Sequence, residues 1–186
     1  MPVKTVVTEA ESKMKKAVEV MQGELKAVRT GRASTGLVEN IKVNYYGTPT
    51  PLRQIASLAA PQADTILIKP FDPGSVKDIE TAIKTSDLSI APIVESKMIR
   101  LSLPPLSEER RTQLVARAKQ IGEQAKLSIR NVRRDANKDL EKEEKGKIIT
   151  EDDLEKGKKQ IDDITKRYTD RADEVVKHKA DEIMQG

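Results

Sequence analysis

The distribution of proline constrains this chain more than any other feature. Eight of the nine prolines, Pro49, Pro51, Pro61, Pro70, Pro73, Pro92, Pro104 and Pro105, lie between residues 49 and 105, and none follows. Proline removes a backbone donor and collides with the preceding helical turn, so 106–186 is free to be continuously helical while 49–105 is not. At 186 residues the chain fits one domain or two small ones. Only 2% of residues are aromatic against 34% charged, so any core is aliphatic and thin, the composition that long amphipathic helices carry best.

The apolar periodicity agrees. Val7, Met14, Met21 and Val28 recur every seven positions, with Val18 and Leu25 between them, which predicts a first helix with one buried stripe. Thr8 and Glu11 have capping-box spacing, and Gly31 is a stop signal. A second helix is expected after Pro104-Pro105, capped by Ser107, with Glu108 and Glu109 at the positive end of its dipole. It should run to about Gly146 with Leu114, Ala118, Ile121, Ala125, Val132 and Ala136 on one face. Thr150 and Asp153 cap a third helix, whose apolar positions include Leu154, Ile161, Ile164, Tyr168, Ala172, Val175 and Ile183.

Between the helices, Ile41, Val43 and Tyr45 alternate, Thr65–Ile68 is a short apolar run, and Met98–Leu103 alternates again, all strand signals. Val76, Ile79, Ala82 and Ile83 have helical spacing. The expected fold is therefore α+β: a discontinuous three-helix bundle, 1–30 with 106–186, carrying an inserted β/α/β domain, 31–105. The chain crosses that boundary twice, at Thr30, Gly31 and Arg32 and again at Pro104, Pro105 and Leu106, which makes those residues the expected hinge.

Charge is segregated. From Arg110 to Lys138 there are nine Lys/Arg against two acids, whereas Asp139 to the end holds eleven bases and fifteen acids. At 100° per residue Lys119, Lys126, Arg130, Arg133, Arg134 and Asn137 share a sector of the second helix, away from Leu114, Ile121 and Val132. Arginine's planar, weakly hydrated fork suits bidentate phosphate contacts, so the sector reads as a face for RNA backbone. The competing reading is a solvated face neutralised by the acids of the last helix.

Other chemistry is poorly supplied. There is no cysteine and a single histidine, His178, so neither a thiolate nucleophile nor a multi-histidine metal site can be built. Glu151-Asp152-Asp153 lacks calcium-loop spacing and reads as an acidic first turn, and there is no Gly-rich phosphate loop. Tyr45-Tyr46-Gly47 could stack on bases but reads more simply as a strand end before a turn. The expectation is a protein without cofactor or metal that is not an enzyme. No apolar run approaches the ~20 residues of a membrane span, and the N-terminus has neither a signal-peptide core nor a presequence, so a cytoplasmic location is expected.

Four stretches, Val28-Arg-Thr-Gly-Arg-Ala-Ser34, Tyr45-Tyr-Gly-Thr-Pro-Thr-Pro-Leu-Arg-Gln54, Leu103-Pro-Pro-Leu-Ser-Glu-Glu-Arg-Arg111 and Ile129-Arg-Asn-Val-Arg-Arg-Asp-Ala-Asn137, closely resemble the ribosome recycling factor family in its bacterial form. The resemblance covers nearly the whole chain. It implies an L-shaped monomer that binds the 50S subunit of a post-termination ribosome and, with elongation factor G and GTP bound to that partner, splits the subunits to release mRNA and tRNA. By motif matching, Arg111, Arg130 and Arg133 take the place of the family's 23S rRNA contacts, with Arg29 and Arg32 as flanking contacts. On an ideal helix Arg111 lies about 100° around from Arg130, which would bring it to a different RNA element. Two rival classes remain open at this point: a passive RNA-binding helical protein, which needs only the basic face, and an enzyme, which needs a pocket of convergent polar groups.

Overall fold

A computed structural model describes residues 2–185. Two compact units are formed, one from Met1–Leu25 and Ala116–Ala180, the other from Lys26–Val115 and Asp181–Gly186. The elements in chain order are α1 (Val3–Lys26), β1 (Lys42–Tyr45), β2 (Thr48–Pro51), a single turn α2 (Leu52–Ile55), β3 (Ala56–Gln62), β4 (Thr65–Pro70), α3 (Val76–Lys84), β5 (Pro92–Glu95), β6 (Met98–Ser102), α4 (Glu108–Lys145) and α5 (Glu151–Gln185). None of the helices is long and apolar enough to cross a membrane, among the described residues.

The first unit is built from α1, α4 and α5. In α1 the buried stripe is Val6, Ala10, Met14, Val18, Met21 and Leu25; from Met14 on it is the expected one, whereas Val7 is only half-buried and Val6 with Ala10 continues the stripe in its place. The stripe faces Ala118, Ala125, Ile129, Ala136 and Leu140 of α4 and Ile161, Ile164 and Ala172 of α5, all of them aliphatic and buried. Where the helices converge there is no room for side chains. A Cβ on Gly157 of α5 would stand 2.9 Å from Leu140 Cδ1 and 3.0 Å from Val3 Cγ1, and one on Gly122 of α4 would stand 2.5 Å from Val176 Cγ2. Polar pairs fasten the rims: Arg167 to Glu11, Tyr168 Oη donating to the same carboxylate at 3.4 Å, and Lys158 to Glu141 at 2.9 Å.

The helix ends largely follow the sequence signals. The N–H of Arg110 donates to Ser107 Oγ at 3.2 Å, capping α4, whose Glu108 and Glu109 sit in the first turn. At α5 the cap is reciprocal, with Asp153 N–H donating to Thr150 Oγ1 and Thr150 N–H to Asp153 Oδ2, each at 3.1 Å. Thr8 and Glu11 do not cap. Helix α1 already starts at Val3, so Thr8 lies inside it, bonding the Lys4 carbonyl at 2.8 Å, and Glu11 is free to pair with Arg167. The helix also ends at Lys26, short of Gly31.

The second unit is richer in strand than expected. β1 and β2 form an antiparallel hairpin, and β3, β4, β6 and β5 lie side by side in a four-stranded antiparallel sheet. Helix α3 packs on β1, β5 and β6, and Ile79 and Ile83 enter a core with Val43, Ile66, Ile68, Ile99 and Leu101. The strands missing from the sequence reading are the ones that hold proline: β2 with Pro49 and Pro51, β3 with Pro61 next to a register shift, and β5 with Pro92 at its first position. All three lie at a sheet edge, where a missing N–H breaks no ladder bond.

Candidate nucleic-acid interface

The basic segment of α4 resolves into two populations. Lys119, Arg130 and Arg134 are exposed and have no ion-pair partner among the described residues. Arg133 is at the margin, half exposed, with its nearest carboxylate oxygen, Asp162 Oδ1, at 4.0 Å. Lys126 is different: its side chain is only 17% exposed and its ammonium lies 2.6 Å from Glu123 and 2.9 Å from Asp173 of α5. These contacts, the Glu123 hydrogen bond foremost, hold its pKa above the ordinary lysine value. Asn137 is half-buried with Oδ1 enclosed and unbonded.

The single outward sector expected from the sequence is therefore too wide. In a three-helix bundle α4 meets two neighbours. Ile121, Ala125 and Val132 line a groove against Ala17 and Met21 of α1, and Gly122 and Lys126 lie along α5. The buried stripe and the middle of the basic sector are separated by roughly 100° of arc instead of 180°, so the near edge of that sector, Arg133 and Lys126, lies by Asp162 and Asp173 of α5, and Lys126 belongs to the α4–α5 seam. The residues that sequence reasoning missed are the seam acids Asp162 and Asp173; their spacing of eleven, three helical turns, matches the seven between Lys126 and Arg133 only loosely, a signal too weak to read alone.

In the second unit, Arg111 is half-buried, and its Nη1 donates to the Met184 carbonyl in the last turn of α5 at 3.3 Å, while its Nε has no partner. Its guanidinium satisfies a terminal helix carbonyl and complements the negative end of the dipole. Arg29 donates through Nη2 to the Pro104 carbonyl, joining the chain after α1 to the chain before α4. Burial, and secondarily the charge of Arg110, lower its pKa. Arg32 is exposed, and its N–H donates to Thr30 Oγ1 at 3.3 Å. Of the remaining crossing residues, Thr30 and Gly31 are half-buried, Pro104 and Pro105 exposed, and Leu106 buried. Among the described residues no group of acids and histidine is placed to hold a metal ion.

Three long helices, an antiparallel-sheet unit between the first and second of them, and an exposed row of Lys119, Arg130 and Arg134 without ion-pair partners among the described residues define a helical protein with one basic face. Residues 21–184 match the ribosome recycling factor family. Among relatives bearing that name, the protein of Oleidesulfovibrio alaskensis is 48% identical over 97% of this chain and 98% of its own length, and that of Geobacillus kaustophilus 42% identical over 98% of each. This chain belongs to the ribosome recycling factor family. The fold agrees: the solution structure of a ribosome recycling factor, 38% identical, superposes with a TM-score of 0.78 over 99% of this chain and 98% of the other. A structure of the T. thermophilus factor with E. coli elongation factor G on the E. coli post-termination complex, 37% identical, gives 0.69 over 98% of this chain and 99% of that one.

Proposed function

We propose that this protein binds the large subunit of the post-termination ribosome through 23S rRNA phosphates laid on Lys119, Arg130, Arg133 and Arg134 and, acting with elongation factor G and the GTP that factor carries, separates the subunits. The observation that carries the reading is the exposed row Lys119, Arg130 and Arg134, without acidic partners among the described residues, in a chain where Lys126 finds two. A lone solvated face would gain by pairing with the nearby acids of α5; a face kept open suits an external anion. Arg111, Arg29 and Arg32 are secondary contacts, the first two already spending a donor on a carbonyl.

The work of splitting is assigned to the insert. With the bundle as 1–30 and 106–186 and the insert as 31–105, the hinge is Thr30, Gly31 and Arg32 together with Pro104, Pro105 and Leu106, and the Arg29–Pro104 bond ties its two strands. The chain has no phosphate loop, so the energy comes from the partner GTPase. Light scattering from 70S post-termination complexes tests this: scattering should fall only when the chain, elongation factor G and GTP are all present. A fall with the chain alone, or none with all three, would refute it.

A further inference from the structure

The β1–β2 hairpin turns in two residues, Tyr46 at φ 48° and Gly47 at φ 84°. A two-residue turn with both central residues at positive φ matches the twist of the strands, and its first position is normally Asn, Asp or Gly because a bulky side chain is strained there. Here that position is a tyrosine, and it is held twice over. Its ring meets Tyr45 edge to face at 4.6 Å between centroids, and its phenol donates to Asp72 Oδ2. Asp72 is itself fixed, because its Oδ1 accepts the Gly74 N–H at 2.9 Å. Despite these restraints Tyr46 is 79% exposed. The strain thus serves no core; it holds an aromatic face rigid in water, an arrangement that persists where a surface is used. Phe71, the chain neighbour of Asp72, is exposed to 69%.

The hydrogen bond to Asp72, and then the charge of that carboxylate, raise the pKa of the Tyr46 phenol. A nucleobase stacked here would bring its phosphates towards the Asp72 carboxylate. A guanidinium or ammonium would gain from the ring face and from that carboxylate together. A rigid tyrosine is also an effective interface anchor, since little side-chain freedom remains to be lost.

We propose that Tyr46, Phe71 and Asp72 form a docking surface for an arginine- or lysine-bearing segment of a protein on the ribosome. The occupant's location rests on the ribosome-binding reading above; the chemistry of the site does not.

The test places p-benzoylphenylalanine at position 46 of the full chain and, in a second protein, at position 71, which leaves the Tyr46–Asp72 bond intact should the hairpin not tolerate the first. Each is bound to purified 70S post-termination complexes, irradiated, and the crosslinked fragment identified by mass spectrometry. The expected product is a protein segment carrying Arg or Lys at the crosslink, with the yield reduced about threefold or more by Asp72→Asn. Crosslinks to rRNA, to a segment without a basic residue, or none from a ribosome-bound protein would overturn the proposal, as would a yield indifferent to Asp72→Asn. Failure of the unsubstituted chain to bind ribosomes would instead refute the reading it rests on.

Discussion

Lys126 and Arg130 are four residues apart on α4 and carry the same charge, yet one ammonium is clamped between Glu123 and Asp173 while the other side chain is open to solvent. Their substitutions should therefore divide. Lys126→Ala gives up two ion pairs and the packing of its stem, a loss on the order of 1 kcal/mol, whereas Arg130→Ala should change stability by less than ~0.5 kcal/mol. Urea unfolding followed by circular dichroism reads both. The sequence marks the two residues alike, because residue type and helical phase do not tell which acid of another helix lies across the seam. Capping was more legible where the signal was doubled. Thr150 and Asp153 sit directly before an apolar-periodic segment and cap it reciprocally, while Thr8 and Glu11 have the same spacing inside a helix already started at Val3. Thr150→Ala should cost about 1 kcal/mol. The Asp153 carboxylate is held below the ordinary aspartate range by the Thr150 hydrogen bonds. Its stabilisation is thus complete above the unfolded pKa of about 3.9 and lost as pH falls through the lower folded value. Stability of Asp153→Asn should accordingly fall less between pH 5 and 2 than that of the parent, measured by the same urea transitions.

At the scale of elements, the helices declared themselves and half the strands did not. An 81-residue run from 106 without proline, broken by Gly146 and doubly capped after it, leaves few alternatives to α4 and α5. The alternation of Ile41, Val43 and Tyr45 likewise located β1. By contrast Pro49 and Pro51 read as punctuation although they pair with Asn44 and Lys42 across the hairpin. Their missing N–H groups are tolerable only because β2 is an edge, a fact of tertiary structure that local sequence does not contain. Close helix approach was equally hidden. Gly122 reads as a weak helix position, yet it is where Val176 of α5 comes against α4. The β-branched valine has one favoured rotamer in a helix and cannot easily turn away. Gly122→Ala should thus be destabilising by about 1 kcal/mol: overpacking costs roughly 1–3 kcal/mol and the better helix propensity returns about 1. A stabilised variant in chemical denaturation would show that the seam has slack.

At the scale of the molecule, long helices with a small sheet unit between the first and second were readable because the pattern of periodicity changes after the first helix and again before the second. The basic face was readable as a stretch of sequence but not in its edges, since those depend on how α4 lies against α5. If the bundle supplies affinity and the insert supplies splitting, replacing 32–104 by a short Gly/Ser linker should leave a helical, cooperatively melting protein that binds 50S subunits and does not split 70S complexes. The central claim is narrower, that the open row on α4 is where rRNA phosphates lie. Its most direct test is the salt dependence of 50S binding for the parent, Arg130→Ala and Lys126→Ala proteins. Each phosphate contact contributes roughly −0.7 to −0.9 to the slope of log affinity against log salt. Arg130→Ala should weaken binding and flatten that slope by about one contact, and Lys126→Ala, once confirmed folded, should leave the slope unchanged. Equal slopes for the parent and Arg130→Ala, or a flattened slope for Lys126→Ala alone, would contradict the account.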